Sequence, residues 1–188
     1  MNVWSKIALR EMTKSDLPLV LSWRNQEYIR KMMYNSEIIS MDRHIAWFNK
    51  IQKSKTSKTL IFYFSGEPYG IVNIHQINFL KGTCEWGLYI GVEEAPRGLG
   101  TILGYLAIEY VFNSLRLRKL HAEVLDFNHK SYNFHKKMGF EQEGVLKEHI
   151  AKEGKYVDII LFGLSLSKWV EQSSLIKRQI TIQFKNNL

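Results

Sequence analysis

A chain of 188 residues, 45% hydrophobic and 23% charged, has enough apolar material for one compact domain and is too ordinary in composition for a disordered, collagen-like or coiled-coil protein. Its formal charge of +8 points to an anionic ligand, with nucleic acid, a polyphosphate-bearing small molecule and an acidic membrane surface all compatible. Cys84, the single cysteine, excludes an intrachain disulfide framework and reads as a small buried thiol; with a charged N-terminus and no apolar run near the roughly 18 residues of a membrane span, it points to a cytoplasmic protein.

An opening strand is predicted over residues 6–11, followed by a helix start of capping-box form, Thr13-Lys-Ser-Asp16. Helical segments continue to about residue 53. In the last of them Ser40 is a cap, and Met41, Ile45, Phe48 and Ile51 recur at intervals of three and four. Residues 59–65, 69–80 and 83–91 read as three antiparallel strands joined by Gly66-Glu67-Pro68 and Lys81-Gly82. A glycine loop, Ala95-Pro-Arg97-Gly98-Leu99-Gly100-Thr101, leads into a helix over 98–114 whose apolar face is Leu99, Ile102, Leu103, Leu106 and Tyr110. A strand at 119–125, a helix at 128–138 and two strands at 145–150 and 155–166 complete a domain over residues 1–168. Residues 169–188 are expected to extend past it, as a cap on the sheet, as a contact in a homodimer or as a disordered tail.

The glycine loop is the first chemical signal. Its glycines let the backbone turn and approach a ligand, while the following helix start offers free N–H groups to phosphate oxygens, with Arg97 beside them. It is neither a Walker loop nor a complete dinucleotide fingerprint, since Leu103 stands at the third glycine position. None of the six histidines belongs to a ligand-spaced cluster, so no metal is expected.

The second signal is Asn128-His-Lys-Ser131-Tyr-Asn-Phe-His135-Lys-Lys137-Met-Gly139-Phe140, which resembles the N-x-x-A-x-x-x-Y-x-K-x-G-F stretch of GCN5-related N-acetyltransferases. Together with Arg97-Gly98-Leu99-Gly100 and the order of elements, the resemblance spans about residues 6–167. It implies an α/β acyl-CoA N-acyltransferase fold: a mixed, roughly seven-stranded sheet with splayed central strands flanked by helices. It also implies acetyl-CoA as cosubstrate at Arg97, Gly98, Leu99, Gly100, Thr101 and Asn128, with Leu88 and Ile90 offering backbone N–H groups, and direct attack of an amine on the thioester. His135 stands where the family carries the tyrosine assigned to protonate the leaving thiolate, and the alternative for it is a helix residue packed in the core. Ala95 replaces the usual polar first residue of the loop motif. The base is left between Glu85 and Asp126, with Glu123 a weaker candidate.

A narrower resemblance rests on Trp23-Arg24-Asn25, Met33-Tyr34, residues 39–47, Cys84-Glu85-Trp86-Gly87-Leu88-Tyr89 and Gly154-Lys155-Tyr156-Val157-Asp158. These are similar to the subgroup of the family that acetylates the 4-amino group of a UDP-linked 4-amino-4,6-dideoxy sugar in pseudaminic acid biosynthesis. It implies a nucleotide amino sugar held by Arg24, Asn25, Met33, Tyr34, His44 and Trp47, with no nucleic-acid or membrane partner. Core packing is the alternative for Trp47. Two other readings stay open. W-R-N also occurs in family members acting on ribosomal protein N-termini, and a noncatalytic nucleic-acid binder would account for the charge while leaving both motifs unexplained.

Overall fold

The computed structural model describes residues 3–185. Strand β1 (Ile7–Glu11) runs into the expected capping box, in which the Thr13 amide donates to Asp16 Oδ2 at 2.7 Å, and helix α1 (Leu17–Arg24) follows with Pro18 in its first turn. Proline costs nothing there, because that turn's N–H groups have no intrahelical acceptor. A short helix α2 (Glu27–Arg30) precedes α3 (Met41–Gln52), which Ser40 caps by accepting the Arg43 amide at 3.3 Å. Strands β2 (Lys58–Phe64), β3 (Glu67–Asn78) and β4 (Thr83–Ile90) form the expected meander. Helix α4 (Leu99–Glu109) ends in a wider turn over 110–114 and leads to β5 (Lys119–Leu125), α5 (His129–Lys137), β6 (Glu141–Lys152), β7 (Lys155–Ser165) and α6 (Leu166–Lys185).

The seven strands form one mixed sheet in the order β1-β2-β3-β4-β5-β7-β6. Among the described residues its only parallel pair, β4 with β5, is registered at Thr83–Lys119, Cys84–Leu120 and Glu85–His121 and then ends. Both strands continue, β4 along β3 to Ile90 and β5 along β7 to Leu125. The sheet therefore splits into two halves from Trp86 onward.

Alternation along β4 sorts its side chains between two layers. Cys84, Trp86, Leu88 and Ile90 point into the larger core with α4, α5 and α6. Glu85, Gly87 and Tyr89 face the smaller layer built by α1 and α3 around Trp23, Phe48, Ile61 and Ile71. Cys84 lies in the first core, where burial pushes its thiol up to about 12, as a structural thiol should be.

The domain boundary expected at residue 168 is corrected. Helix α6 places Trp169, Ile176, Ile180 and Phe184 in the main core, and the Trp169 indole donates to Glu109 Oε1 at 2.6 Å. Each such burial contributes about 1.5–3 kcal/mol, so the helix is integral to the domain. Residues 186–188 lie outside the described residues. Among those described, no helix is long and apolar enough to cross a membrane.

Candidate active site

Where β4 and β5 part, β4 presents an unpaired backbone edge. The Gly91 amide donates to Tyr69 O at 2.8 Å, so residues 91, 89 and 87 direct their N–H groups toward β3. Strand alternation then turns the Leu88 and Ile90 N–H groups toward the gap. The two residues expected to offer backbone donors thus have them at the split.

One end of the gap is closed by the glycine loop. Gly98 has φ +95°, a left-handed conformation that L side chains rarely adopt, and it starts α4. A Cβ at Gly100 would come no closer than 3.8 Å to another group, that group being Ile90 Cγ1, and the Gly100 amide has no backbone acceptor among the described residues. The Leu99 amide donates back to Pro96 O at a long 3.3 Å. Arg97 is exposed beside the loop. Lys137 of α5 reaches the same helix start, donating to Thr101 Oγ1 at 3.3 Å, a second cation that the sequence motif carried without revealing its direction. The free Gly100 amide, a helix N-terminus and two cations match the needs of a pyrophosphate, so the loop from Arg97 to Thr101 could hold the acetyl-CoA diphosphate. Asn128 caps α5, its Oδ1 accepting the Ser131 amide at 3.0 Å.

His135 is 6% exposed. Its ring stacks on Phe162 with centroids 5.4 Å apart and meets Trp86, Phe134 and Phe140 edge-on. The Trp86 indole N–H donates to Nε2 at 3.2 Å, and Nδ1 lies 2.8 Å from the Ser131 carbonyl, which fixes the tautomer with its proton on Nδ1. Burial drags the pKa down to about 4, so the imidazole is neutral at pH 7, with its one proton held by a backbone oxygen. The acid role expected of His135 does not suit this setting.

The carboxylates separate. Glu85 is half-buried at the last β4–β5 pair, with His75 Nδ1 3.8 Å from its Oε2. Burial, then the nearby Glu123 charge, raises its pKa above the ordinary glutamate value. Glu123 lies on β5 on the same face, where the Tyr34 hydroxyl donates to its Oε2. Asp126 sits apart, exposed beyond the end of β5, where its backbone amide donates to Asp158 O at 3.1 Å. Of the two carboxylates expected as the base, Glu85 stands at the last β4–β5 pair, where the split begins, and Asp126 stands past the end of β5.

The residues expected to hold an acceptor divide similarly. Arg24 is half-buried at the end of α1; Nη2 donates to Asn35 O at 2.9 Å, while Nη1 is buried without a partner among the described residues. Tyr34 overhangs β5, and the Met33 carbonyl accepts Lys152 Nζ at 2.8 Å, a contact between distant segments that no sequence signal announced. Asn25 spends its amide on both backbone groups of Ile39, at 2.8 and 2.9 Å. His44 is buried and stacks on Trp47 with centroids 5.0 Å apart in the small core. Tyr34 thus reaches β5 at the split and Arg24 lies near Tyr89 of β4, whereas Met33 and Trp47 pack against the small core and Asn25 and His44 belong to the helical layer.

Residues 6–141 match the family model described as an acetyltransferase (GNAT) domain, and the chain belongs to that family of acetyl-CoA-dependent N-acetyltransferases. Among curated relatives, the spermidine N(1)-acetyltransferase of Vibrio cholerae is 25% identical over 170 residues, covering 90% of this chain and 98% of its own. Acetyltransferase PseH of Campylobacter jejuni is 25% identical over 130 residues, or 69% of this chain and 80% of its own. The crystal structure of Vibrio cholerae spermidine N-acetyltransferase with CoA and spermine superposes with a TM-score of 0.82 at 24% identity, over 88% of this chain and 99% of that one. The expected fold, with its split sheet, is the fold observed.

Proposed function

We propose that the acceptor is a small primary amine carrying an anionic group at its other end, specifically the 4-amino group of a UDP-linked 4-amino-4,6-dideoxy sugar of pseudaminic acid biosynthesis. Arg24 carries this reading. A guanidinium nitrogen buried without a partner is costly, and a diphosphate oxygen would satisfy it with a charge-assisted bond. The resemblance of Arg24, Met33, Tyr34 and residues 84–89 to that subgroup and the likeness to acetyltransferase PseH support it.

Bound acetyl-CoA would supply the acetyl group: the amine lone pair forms the new C–N bond, the C–S bond breaks, and the sulfur leaves with the electron pair. The Leu88 amide is placed to donate to the carbonyl oxygen as charge gathers there. Glu85 takes the proton the nitrogen must lose, directly or through water, and its raised pKa makes it a better acceptor than an exposed glutamate.

A second reading has its own support. Relatives named as spermidine N(1)-acetyltransferases match this chain over 98% and 83% of their own lengths, and Glu85 with Glu123 would attract a polycation. The half-buried Arg24 would oppose one. Thiol release from acetyl-CoA, followed with the UDP-linked 4-amino sugar, a dTDP-amino sugar, spermidine and a ribosomal N-terminal peptide, decides between them. The proposal expects kcat/KM highest for the UDP sugar. Faster turnover of spermidine or of the peptide overturns it.

A further inference from the structure

Gly87 stands in a central strand, where glycine costs about 0.5–1 kcal/mol relative to alanine and marks a bulge, a close contact or a ligand approach. The first two reasons are absent. Gly87 does not have a positive φ, the β3–β4 register is continuous through it, and a Cβ built there would meet nothing within 4 Å. Glycines nearby differ: a Cβ at Gly70 would lie 2.6 Å from Tyr89 O, and one at Gly91 would lie 2.1 Å from the Trp23 ring. Gly87 is also exposed although its neighbour Trp86 is buried and the strand is fourth of seven in the sheet.

The open space over Gly87 has a definite position. It lies on the Glu85 and Tyr89 face, one residue from the Leu88 amide that turns into the gap. Extending the Glu85–His121 register by two residues would bring Gly87 opposite Glu123, but there the strands have already parted. Tyr34 overhangs from the far side through its bond to Glu123. An amine entering from the α1–α3 layer must cross this space to reach a carbonyl held at Leu88.

We propose that Gly87 is a specificity-determining residue: the space over its Cα is the passage through which the acceptor amine reaches the acetyl group, between the carboxylates of Glu85 and Glu123. The inference rests on the reading of the split as the place of amine acetylation but not on which amine is used. The carboxylates favour arrival of the ammonium form, and Glu85 then removes its proton.

Gly87→Ala and Gly87→Val test the passage, with melting temperature, CoA affinity and acceptor affinity for the CoA-saturated enzyme measured by calorimetry beside steady-state rates. Because nothing lies in the space, both variants should melt no lower than the wild type by more than a few degrees and bind CoA unchanged. Acceptor KM and Kd should rise about tenfold or more for valine and less for alanine. Wild-type acceptor affinity and turnover in the valine variant overturn the proposal. Glu123→Gln tests the carboxylate pair: the groups facing Glu85 are His75 on β3, His121 and Glu123 on β5, and Tyr34 overhead, and removing the Glu123 charge should move the acid limb of kcat/KM to lower pH. An unmoved limb overturns the pairing. If spermidine replaces the nucleotide sugar as best acceptor, the reading of Arg24 fails while the Gly87 comparison, run with spermidine, still stands or falls by itself.

Discussion

Trp86 donates its indole N–H to Nε2 of His135 at 3.2 Å, joining β4 to α5 across the floor of the split. The bond makes the histidine an acceptor at the one nitrogen facing the strand, while Ser131 O holds the proton at the other. At a position where the family places a hydroxyl for proton transfer, this chain has a brace that fixes α5, and with it Lys137, against β4.

His135 should therefore appear in stability before it appears in catalysis. Its folded pKa of about 4 lies below the ordinary 6.5, so the unfolded chain binds more protons between those values. The stabilisation is complete above pH 6.5 and is lost as pH falls toward 4, by up to about 3 kcal/mol. Denaturant melts of wild type and His135→Gln at pH 7 and pH 5 should show a pH-dependent loss that is smaller in the variant. An equal loss in both would remove His135 as its source.

Glu85→Gln should lower kcat about 10²–10⁴-fold while leaving CoA affinity unchanged, the range for loss of a general base. Because burial and Glu123 raise the Glu85 pKa, the wild-type acid limb should lie above the ordinary glutamate value of 4.5. Activity should fall as pH drops through that limb. Asp126→Asn is the control and should retain turnover.

The glycine loop offers two separable substitutions. Gly100→Val would set its Cβ in ordinary contact with Ile90 Cγ1, at 3.8 Å, so it should raise acetyl-CoA KM about tenfold or more with little change in melting temperature. Gly98→Val must abandon φ +95° and would bring its Cβ to 2.6 Å from Gln183 Nε2 and 2.9 Å from Phe184 Cε2. It should lower melting temperature as well, because α6 loses its docking there. Calorimetric melts and CoA titrations separate the two effects.

Arg24→Ala should raise acceptor KM about ten- to a hundredfold, the equivalent of about 1.5–3 kcal/mol for a charge-assisted contact, and leave acetyl-CoA KM nearly alone. Arg24→Lys should recover little, since an ammonium cannot both hold Asn35 O and present a second fixed donor. Steady-state kinetics with each substrate varied in turn provide the check.

Trp169→Ala should cost about 3–5 kcal/mol, as expected for removing a large buried aromatic ring. Removal of α6 entirely should prevent cooperative folding. Urea melts of the two variants measure both outcomes.

Much of this protein is legible in its sequence because it is written locally. The capping box at Thr13, the Ser40 cap, the glycine turns of the meander and the loop at Gly98 each depend on residues within a few positions, so their geometry follows from backbone sterics and the hydrogen bonds of near neighbours. Strand order and the split sheet followed from motif resemblance, since a periodic pattern shows that a strand exists but not which strand it pairs with. Tertiary structure alone decided the rest. Glu85, Glu123 and Tyr34 meet because a short parallel pairing brings β5 beside β4, and His135 becomes a neutral brace because Trp86, Phe140 and Phe162 exclude water from it. Helix α6 looks amphipathic and ambiguous in sequence, and it becomes part of the core only where α4 offers a complementary apolar face. A pKa, a passage and a docking face are each set by the summed desolvation and field of groups far apart in the chain, and folding is the step that brings those groups together.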